Sequence, residues 1–523
     1  MKKLYNLGVH TIQFFWIILF GLTVFFALLS PNIILGDNPI FGTSTTLLTT
    51  VFILMSIGIV ALLVTFEKLR KKVASVFIAH KYVAASSLLV LVFLLQVIFV
   101  YFVHPGAGFD AGMLHYAATN KESIFDPNVR GYFSLNQNNL PPMLLMHWIV
   151  KVTGQTSWQF FDYLTVLFVD LSVLLNLVTI KIVAPKALAF GMYLQAIWLL
   201  VFPSILMPYT DTWALPLVSG YLLCYFLLQS DTVHGGVRGL SGVLFGVLVV
   251  LTYFIKPSAI IPVIAIVLVN VLSACTHKIT LKKIMWYFLF ISMIGAVSFG
   301  TYRAITSLIA EQTYIKIDDS RNIPAIHFAS MGISGDGGYS EKQAEQMAIL
   351  PTKEEKSEYS KKIILKRLKE LHIVGYLQFL VKKQERNTAD GTFGWLKEGN
   401  FFRENQKPSQ KGIRNQLKNF IFLYGAHIAD FRFFAQLVWL FCLLVILLGW
   451  GTPTKEILIL KLSLIGAFVF LLLFEGGRSR YMIQYLPCFI LLAALAWETT
   501  KKHIQQVLYW WENGQGETIS KNG

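Results

Sequence analysis

Residues 84–110 read AASSLLVLVFLLQVIFVYFVHPGAGFD. Positions 84–103 hold no charged side chain, and about twenty such residues are what a helix needs to cross the hydrocarbon core of a bilayer. The run closes on His104-Pro105-Gly106-Ala107-Gly108, where glycine lets the backbone turn tightly. Asp110 is the first carboxylate after it. The stretch therefore reads as a membrane span that delivers an aspartate to the membrane–water boundary.

The rest of the chain repeats the pattern. Of 523 residues, 55% are hydrophobic and 14% are charged, whereas a soluble domain carries roughly 25% charged residues. The deficit is expected where most of the chain sits in hydrocarbon, because an uncompensated charge there costs several kcal/mol. Apolar runs at 12–30, 47–65, 84–103, 158–183, 187–207, 210–230, 240–254, 258–274, 284–304, 433–449, 457–474 and 482–497 predict an all-α polytopic membrane protein with about 12 transmembrane helices. Residues 1–304 form a membrane core with an outer loop at 104–157. Residues 305–432 form an extramembrane insert, and 433–523 supply the last spans and a tail. Lys2 and Lys3 precede the first apolar run as in a signal peptide, but no small-residue cleavage site closes it, so a retained helix is expected.

Charge bias orients the spans. Lys2 and Lys3, then Lys68, Arg70, Lys71, Lys72 and Lys81, then Lys181 and Lys186, Arg238, Lys278, Lys282 and Lys283, and Lys501 and Lys502 all fall on one side of a twelve-span chain. Short-loop cations mark the cytoplasmic side. The loops 31–46, 104–157 and 208–210, the turn at Lys256-Pro257, the insert 305–432 and the turn 475–481 are then outside. The insert is lysine-rich, but long loops translocate largely regardless of charge. A structureless segment of that length is unusual, so it should carry helices. The stretch 353–383 is amphipathic, with a Lys/Glu-rich start leading into Ile363, Ile364, Leu365, Leu368, Leu371, Ile373, Leu377 and Leu380. It suits the membrane surface and equally a helix packed on the insert's own core.

The net charge of +16 points to anionic lipid head groups or lipid-linked phosphates. No basic motif with interleaved aromatics lies outside the spans, which argues against nucleic acid. Cys224, Cys275, Cys442 and Cys488 lie in or at the ends of apolar runs without a C-x-x-C pair, as buried small hydrophobes do.

Several polar groups collect on the predicted outer face. Asp110 is placed to take a proton from a hydroxyl or to serve as a turn or cap residue. His115 and Tyr116 follow it on the same loop, and Asn136-Gln-Asn-Asn-Leu-Pro-Pro142 precedes a juxtamembrane helix, Met143–Val150, that carries His147. Tyr209-Thr210-Asp211 joins two apolar runs with almost no loop. A carboxylate so close to hydrocarbon is paired, wetted or functional, and capping of the next helix is the competing use. Lys256 interrupts an apolar stretch and needs an anion, or snorkels to the head groups. Glu475-Gly-Gly-Arg478-Ser-Arg480-Tyr481 places two arginines in a short outward turn against the positive-inside trend. Guanidinium forks bind phosphate oxygens bidentately; ion pairing to Glu475 or Asp211 is the structural alternative.

At these residues the chain resembles the GT-C class of membrane glycosyltransferases, which take sugars from polyprenyl-phosphate donors. That class includes protein O-mannosyltransferases, lipid A aminoarabinose transferases and Gram-positive cell-wall-glycan enzymes. The resemblance rests on Phe109-Asp110, Tyr209-Thr210-Asp211, Lys256-Pro257 and Glu475-x-x-Arg478-x-Arg480-Tyr481-x-x-x-x-x-Pro487, and more faintly on His327-Phe-Ala-Ser-Met331-Gly332 and Asp390-Gly391-Thr392-Phe393. Two departures stand out: an extra pair of spans precedes the outer loop, and that loop has one aspartate where many members show an acidic pair. The resemblance thus assigns no metal ligand and leaves a divalent-cation requirement open.

The resemblance implies an inverting transfer, in the plasma membrane of a bacterium, from an undecaprenyl-type phosphate sugar to a cell-envelope acceptor such as a polysaccharide or teichoic acid. Asp110 would be the general base. Lys256, Arg478 and Arg480 would hold the donor phosphate, Asp211 would orient a partner, and Tyr209, Tyr481 and His115 would line the substrate site. Competing readings are a transporter or flippase for a lipid-linked sugar, which needs a polar path through the bilayer, an O-antigen-ligase or polymerase-type enzyme, and a non-enzymatic scaffold.

Overall fold

The computed structural model describes residues 2–276, 281–395, 402 and 407–520. Lys278, residues 396–401 and 403–406 of the insert, and 521–523 of the tail lie outside them. The chain opens with α1 (Lys2–Leu28), α2 (Leu47–Thr65), the charged α3 (Glu67–Ala74) and α4 (Lys81–Phe102). The loop carrying Asp110 holds α5 (Phe109–Thr119), α6 (Pro127–Leu135) and α7 (Leu140–Thr153). Then come α8 (Trp158–Val183), α9 (Leu188–Leu200), α10 (Thr210–Trp213), α11 (Leu215–Gln229), α12 (Gly235–Ile255), α13 (Ile261–Ala274) and α14 (Leu281–Ala310). The insert contributes α15 (Ala325–Ile333), α16 (Glu341–Ile349), α17 (Lys353–Thr388) and α18 (Ile413–Ile421), before α19 (Ile428–Leu448), α20 (Lys455–Leu473) and α21 (Leu486–Ser520). Among the described residues the only sheet is a two-stranded hairpin pairing 37–38 with 43–44.

The fold is all-α, and among the described residues eleven helical segments are long and apolar enough to cross a membrane. The expected span at 187–207 is broken. It consists of α9, 13 residues long, and a separate 3₁₀ turn at Pro203–Leu206. Pro203 explains the break, since proline lacks the amide needed to continue the helix and disfavours helical backbone in the residue before it. The chain still returns along the bundle there. Tyr209, after α9, hydrogen-bonds Asp110, before α8, at 3.0 Å. Residues 184–208 therefore bring the chain back to the end of the bundle from which α8 starts, as the expected span at 187–207 would.

Polar contacts fix how the helices sit. Ser172 on α8 bonds Ser219 on α11 at 2.6 Å, and Asn176 on α8 donates to Gln195 on α9 at 3.2 Å. Trp213 Nε1 donates to Thr165 at 3.0 Å, and the Tyr221 hydroxyl donates to the Ala259 carbonyl at 2.8 Å. Apolar burial gains little against lipid tails, so bonds of this kind carry much of the specificity of packing between membrane helices. The early helix α2 is nearly all exposed and is held at its start by Asp430 of α19. That carboxylate accepts from the Thr46 amide (2.8 Å) and hydroxyl (2.7 Å) and from the Thr49 hydroxyl (2.5 Å).

The amphipathic stretch of the insert is one helix, α17, kinked where His372 takes φ +51°. After the kink, Phe379, Lys383, Gln384, Asn387 and Thr388 are buried. Gln384 Nε2 reaches Thr23 of α1 at 3.1 Å. Lys383 Nζ donates to the carbonyls of Gly332 (2.5 Å), Phe474 (2.6 Å) and Leu472 (3.1 Å). An ammonium thus caps the C-terminal ends of α15 and α20 together, satisfying carbonyls that have no partner within their own helices. This half of α17 therefore packs on both the membrane helices α1 and α20 and the insert's own α15.

Candidate functional site

Glycine and strain place Asp110. Gly108 leads into Phe109, whose φ of +50° lies in the left-handed region, at a cost of about 1–2 kcal/mol for a residue with a side chain. Asp110 then occupies the first turn of α5, where the helix dipole favours a carboxylate. Strain of this kind clusters at functional positions. Two tyrosines hold the carboxylate. The Tyr132 hydroxyl from α6 donates to Oδ1 at 2.6 Å, and the Tyr209 hydroxyl donates to Oδ2 at 3.0 Å. Asn139 in turn donates to the Tyr132 oxygen at 2.6 Å. Burial, reinforced by the Asp110 charge, pushes both phenols well above their ordinary pKa, so both remain protonated donors.

Tyr209 links Asp110 to a buried charge cluster. Asp211, on the single turn α10, is 3% exposed. Its Oδ1 meets Lys256 Nζ at 2.6 Å, and its Oδ2 lies 3.4 Å from Arg480 Nε. Lys256 sits at the end of α12, where Pro257 stops the helix. The Lys256 ammonium lies 5.8 Å from the centre of the Tyr209 ring and 5.4 Å from that of Tyr481. The Arg480 guanidinium lies 5.8 and 5.1 Å from the same two rings. Both tyrosines therefore spend a ring face on cations. The Tyr481 hydroxyl donates to Glu475 at 2.7 Å. Burial raises the Glu475 carboxyl above its usual value, opposed by that bond and by the Arg480 charge.

Arg478 has a partner from the insert: its guanidinium donates to Asp336 at 2.8 Å. Asp336 lies in the glycine-rich turn Gly335-Asp336-Gly337-Gly338, where Gly335 and Gly337 both have positive φ. The turn is tied to α17 by Arg386, which donates to the Asp336 carbonyl at 3.0 Å. It is tied to the arginine turn by the Gly476 amide, which donates to the Gly337 carbonyl at 2.9 Å.

Arg480 is backed by the Asp390-Gly391-Thr392-Phe393 segment. Asp390 accepts from Asn32, from the Thr392 amide and hydroxyl, from the Gly394 amide and from Ser479, all at 2.7–3.2 Å. A side chain at Gly394 would come within 3.2 Å of the Arg480 amide. The segment is a buttress, and Asp390 is its anchor.

Six of the residues predicted from sequence therefore form one constellation at one end of the bundle: Asp110, Tyr209, Asp211, Lys256, Arg480 and Tyr481. Arg478 joins it through the same turn. His115 does not: its ring stacks on Trp158 at 3.8 Å and meets Phe161 edge-on at 5.4 Å. Tyr132, Asp336 and Lys383 are not singled out from the sequence, where Asn139 is noted only as part of the Asn136–Pro142 segment. An aspartate among glycines was visible at 336, but nothing in the sequence pairs it with an arginine 142 positions away.

A hollow beside the cluster is lined by Met207, Tyr209, Asp211, Phe393, Trp395 and Arg480. Through Phe393 it adjoins a small apolar cavity between α9, α19 and α21, about 20 Å³ in volume and lined by Trp198, Trp439 and Phe489. Among the described residues, no three His, Cys, Asp or Glu side chains group closely enough to hold a metal ion.

A family model described as "Conserved hypothetical integral membrane protein" matches residues 4–501. No curated protein and no solved structure matches the chain.

Proposed function

This chain belongs to the conserved hypothetical integral membrane protein family, and we propose that it is a glycosyltransferase. It moves a sugar from a polyprenyl-phosphate donor to an envelope glycan on the extracytoplasmic side of a bacterial plasma membrane. The observation that carries this reading is the continuity of Asp110, Tyr209, Asp211, Lys256 and Arg480: a carboxylate bonded to a tyrosine whose ring faces two partly exposed cations paired with a buried aspartate. Transfer from a lipid phosphate needs a base and a phosphate holder within one substrate's length, and it needs apolar space for the lipid. In this reading the lipid chain lies in the bilayer, against the exposed apolar faces of the spans.

In this reading the acceptor hydroxyl oxygen attacks the anomeric carbon from the face opposite the phosphate. As the new C–O bond forms, the hydroxyl proton passes to Asp110. The bond from the anomeric carbon to the phosphate oxygen breaks, and the electron pair leaves on the phosphate, with inversion. Tyr132 and Tyr209 orient the base. Lys256 and Arg480 neutralise the charge that grows on the leaving oxygen, and fixed charges of this kind usually contribute the largest catalytic term. The donor phosphate competes with Asp211 for Lys256 and Arg480, and with Asp336 for Arg478.

The test is transfer of labelled sugar from a polyprenyl-phosphate donor by the full chain in vesicles, native against Asp110→Asn. Loss of a general base lowers the rate about 10²–10⁴-fold. Undiminished transfer by the variant would remove Asp110 as the base. Sugar that crosses the vesicle membrane without being transferred would point to a flippase instead.

A further inference from the structure

Helix α17 has two faces of opposite character. The inner one carries Lys383, Gln384 and Asn387 and is buried against α1, α15 and α20. The outer one exposes Ile373 (81%), Val374 (68%), Leu377 and Val381 after the kink, and Leu365 and Leu368 before it. Between 361 and 382 the chain has six cations (Lys361, Lys362, Lys366, Arg367, Lys369 and Lys382) against the single acid Glu370.

The inner contacts fix where this surface stands. Gln384 bonds Thr23, in the last third of α1, and Lys383 caps the final carbonyls of α20. Both α1 and α20 are long and apolar enough to cross a membrane. The second arm of α17 therefore joins the bundle where two spans end, which is the depth at which acyl chains give way to head groups. A row of large aliphatic side chains flanked by lysines matches that boundary on both counts.

We propose that the outer face of α17 is a docking surface for anionic phospholipid. Ile373, Val374 and Leu377 enter the acyl region, and Lys361, Lys369 and Lys382 sit on lipid phosphates. The same helix grips the arginine turn from its inner face. The Asn387 side chain accepts from the Gly477 amide at 2.6 Å, and Arg386 holds the Asp336 carbonyl. Lipid contact on one side of α17 thus braces the turn that carries Arg478 on the other. This inference stands whether or not the chain transfers sugars.

The test uses the full chain with Cys275→Ser, since Cys224, Cys442 and Cys488 are buried. A single cysteine replaces Leu377, or Glu354 as a reference at the solvated start of α17. Each is labelled with an environment-sensitive fluorophore in nanodiscs of phosphatidylcholine with or without phosphatidylglycerol. The expected result is several-fold stronger quenching of the 377 probe by nitroxide-labelled lipid than by iodide, with the reverse order at 354. Ready quenching of 377 by iodide overturns the proposal. So does shielding of 377 from both quenchers, which would mean that a protein partner or a second copy covers the face. In a second arm, Lys361→Gln, Lys369→Gln and Lys382→Gln are combined and co-purified phosphatidylglycerol is counted by native mass spectrometry. Loss of three juxtamembrane cations at their usual strength lowers retention about 10²-fold; unchanged retention rejects anionic-lipid recognition.

Discussion

Replacing Asp211 by Asn removes the one carboxylate that two cations share. The substitution keeps size and shape but takes from Lys256 and Arg480, whose side chains are 15% and 16% exposed, the carboxylate they share, leaving Glu475 as a nearby acid. Breaking a buried ion pair by deleting one partner costs about 3–5 kcal/mol, because the survivor stays desolvated. Asp211→Asn should lose that much stability in SDS-induced unfolding from mixed micelles. Lys256→Met should lose less, since Asp211 keeps Arg480. The double variant should fall short of the sum by about 1–3 kcal/mol, the usual coupling between contacting groups. The variant also separates two roles for the cations. If Lys256 and Arg480 hold a phosphate, freeing them from Asp211 should raise their affinity for it. A polyprenyl phosphate should then stabilise Asp211→Asn more than the native chain, by RT ln(1 + [L]/Kd) evaluated for each. Additivity within about 0.5 kcal/mol would refute the shared-carboxylate account. Equal stabilisation of both chains by the lipid phosphate would refute competition at this cluster.

Three further outcomes follow from the geometry. Lys383→Met should destabilise the protein by about 2–4 kcal/mol in the same assay, because three buried carbonyls lose their donor, and it should speed proteolysis of the 334–339 turn. His327, 1% exposed, is lowered by burial to about 4, below the ordinary 6.5. The folded state therefore binds fewer protons than the unfolded one between those values, and stability should fall by about 3 kcal/mol as pH drops from 6.5 to 4, a slope that His327→Gln abolishes. Glu475 has the opposite sign: burial raises its carboxyl, so the folded state binds more protons and stability should decline as pH rises past the ordinary carboxylate value. Glu475→Gln should flatten that decline in unfolding midpoints measured across the acid range.

Hydrophobicity is a local, one-dimensional property, and so the sequence by itself determined the membrane character of this protein and nearly all of its spans. It also determined which polar residues stand at the ends of those spans. A charge next to twenty apolar residues is costly wherever the chain goes, and that made Asp110, Asp211, Lys256, Arg478 and Arg480 conspicuous without any knowledge of their neighbours. The break at Pro203 was legible in principle, since proline stops a helix by its covalent structure, yet the apolar run around it hid the interruption. Partnership was decided only by the tertiary structure. That a buried charge needs a counter-charge is a general rule, but the rule does not say which one. Asp336 found Arg478 because its turn is tied to α17 by Arg386, and Tyr132 found Asp110 because α6 brings its hydroxyl to the first turn of α5. His115 shares a helix with Asp110 and was read with it, but its ring turned to Trp158. Hydrogen bonds and ion pairs act over a few ångströms in space, and residues far apart in the chain come within that distance only after the helices have packed.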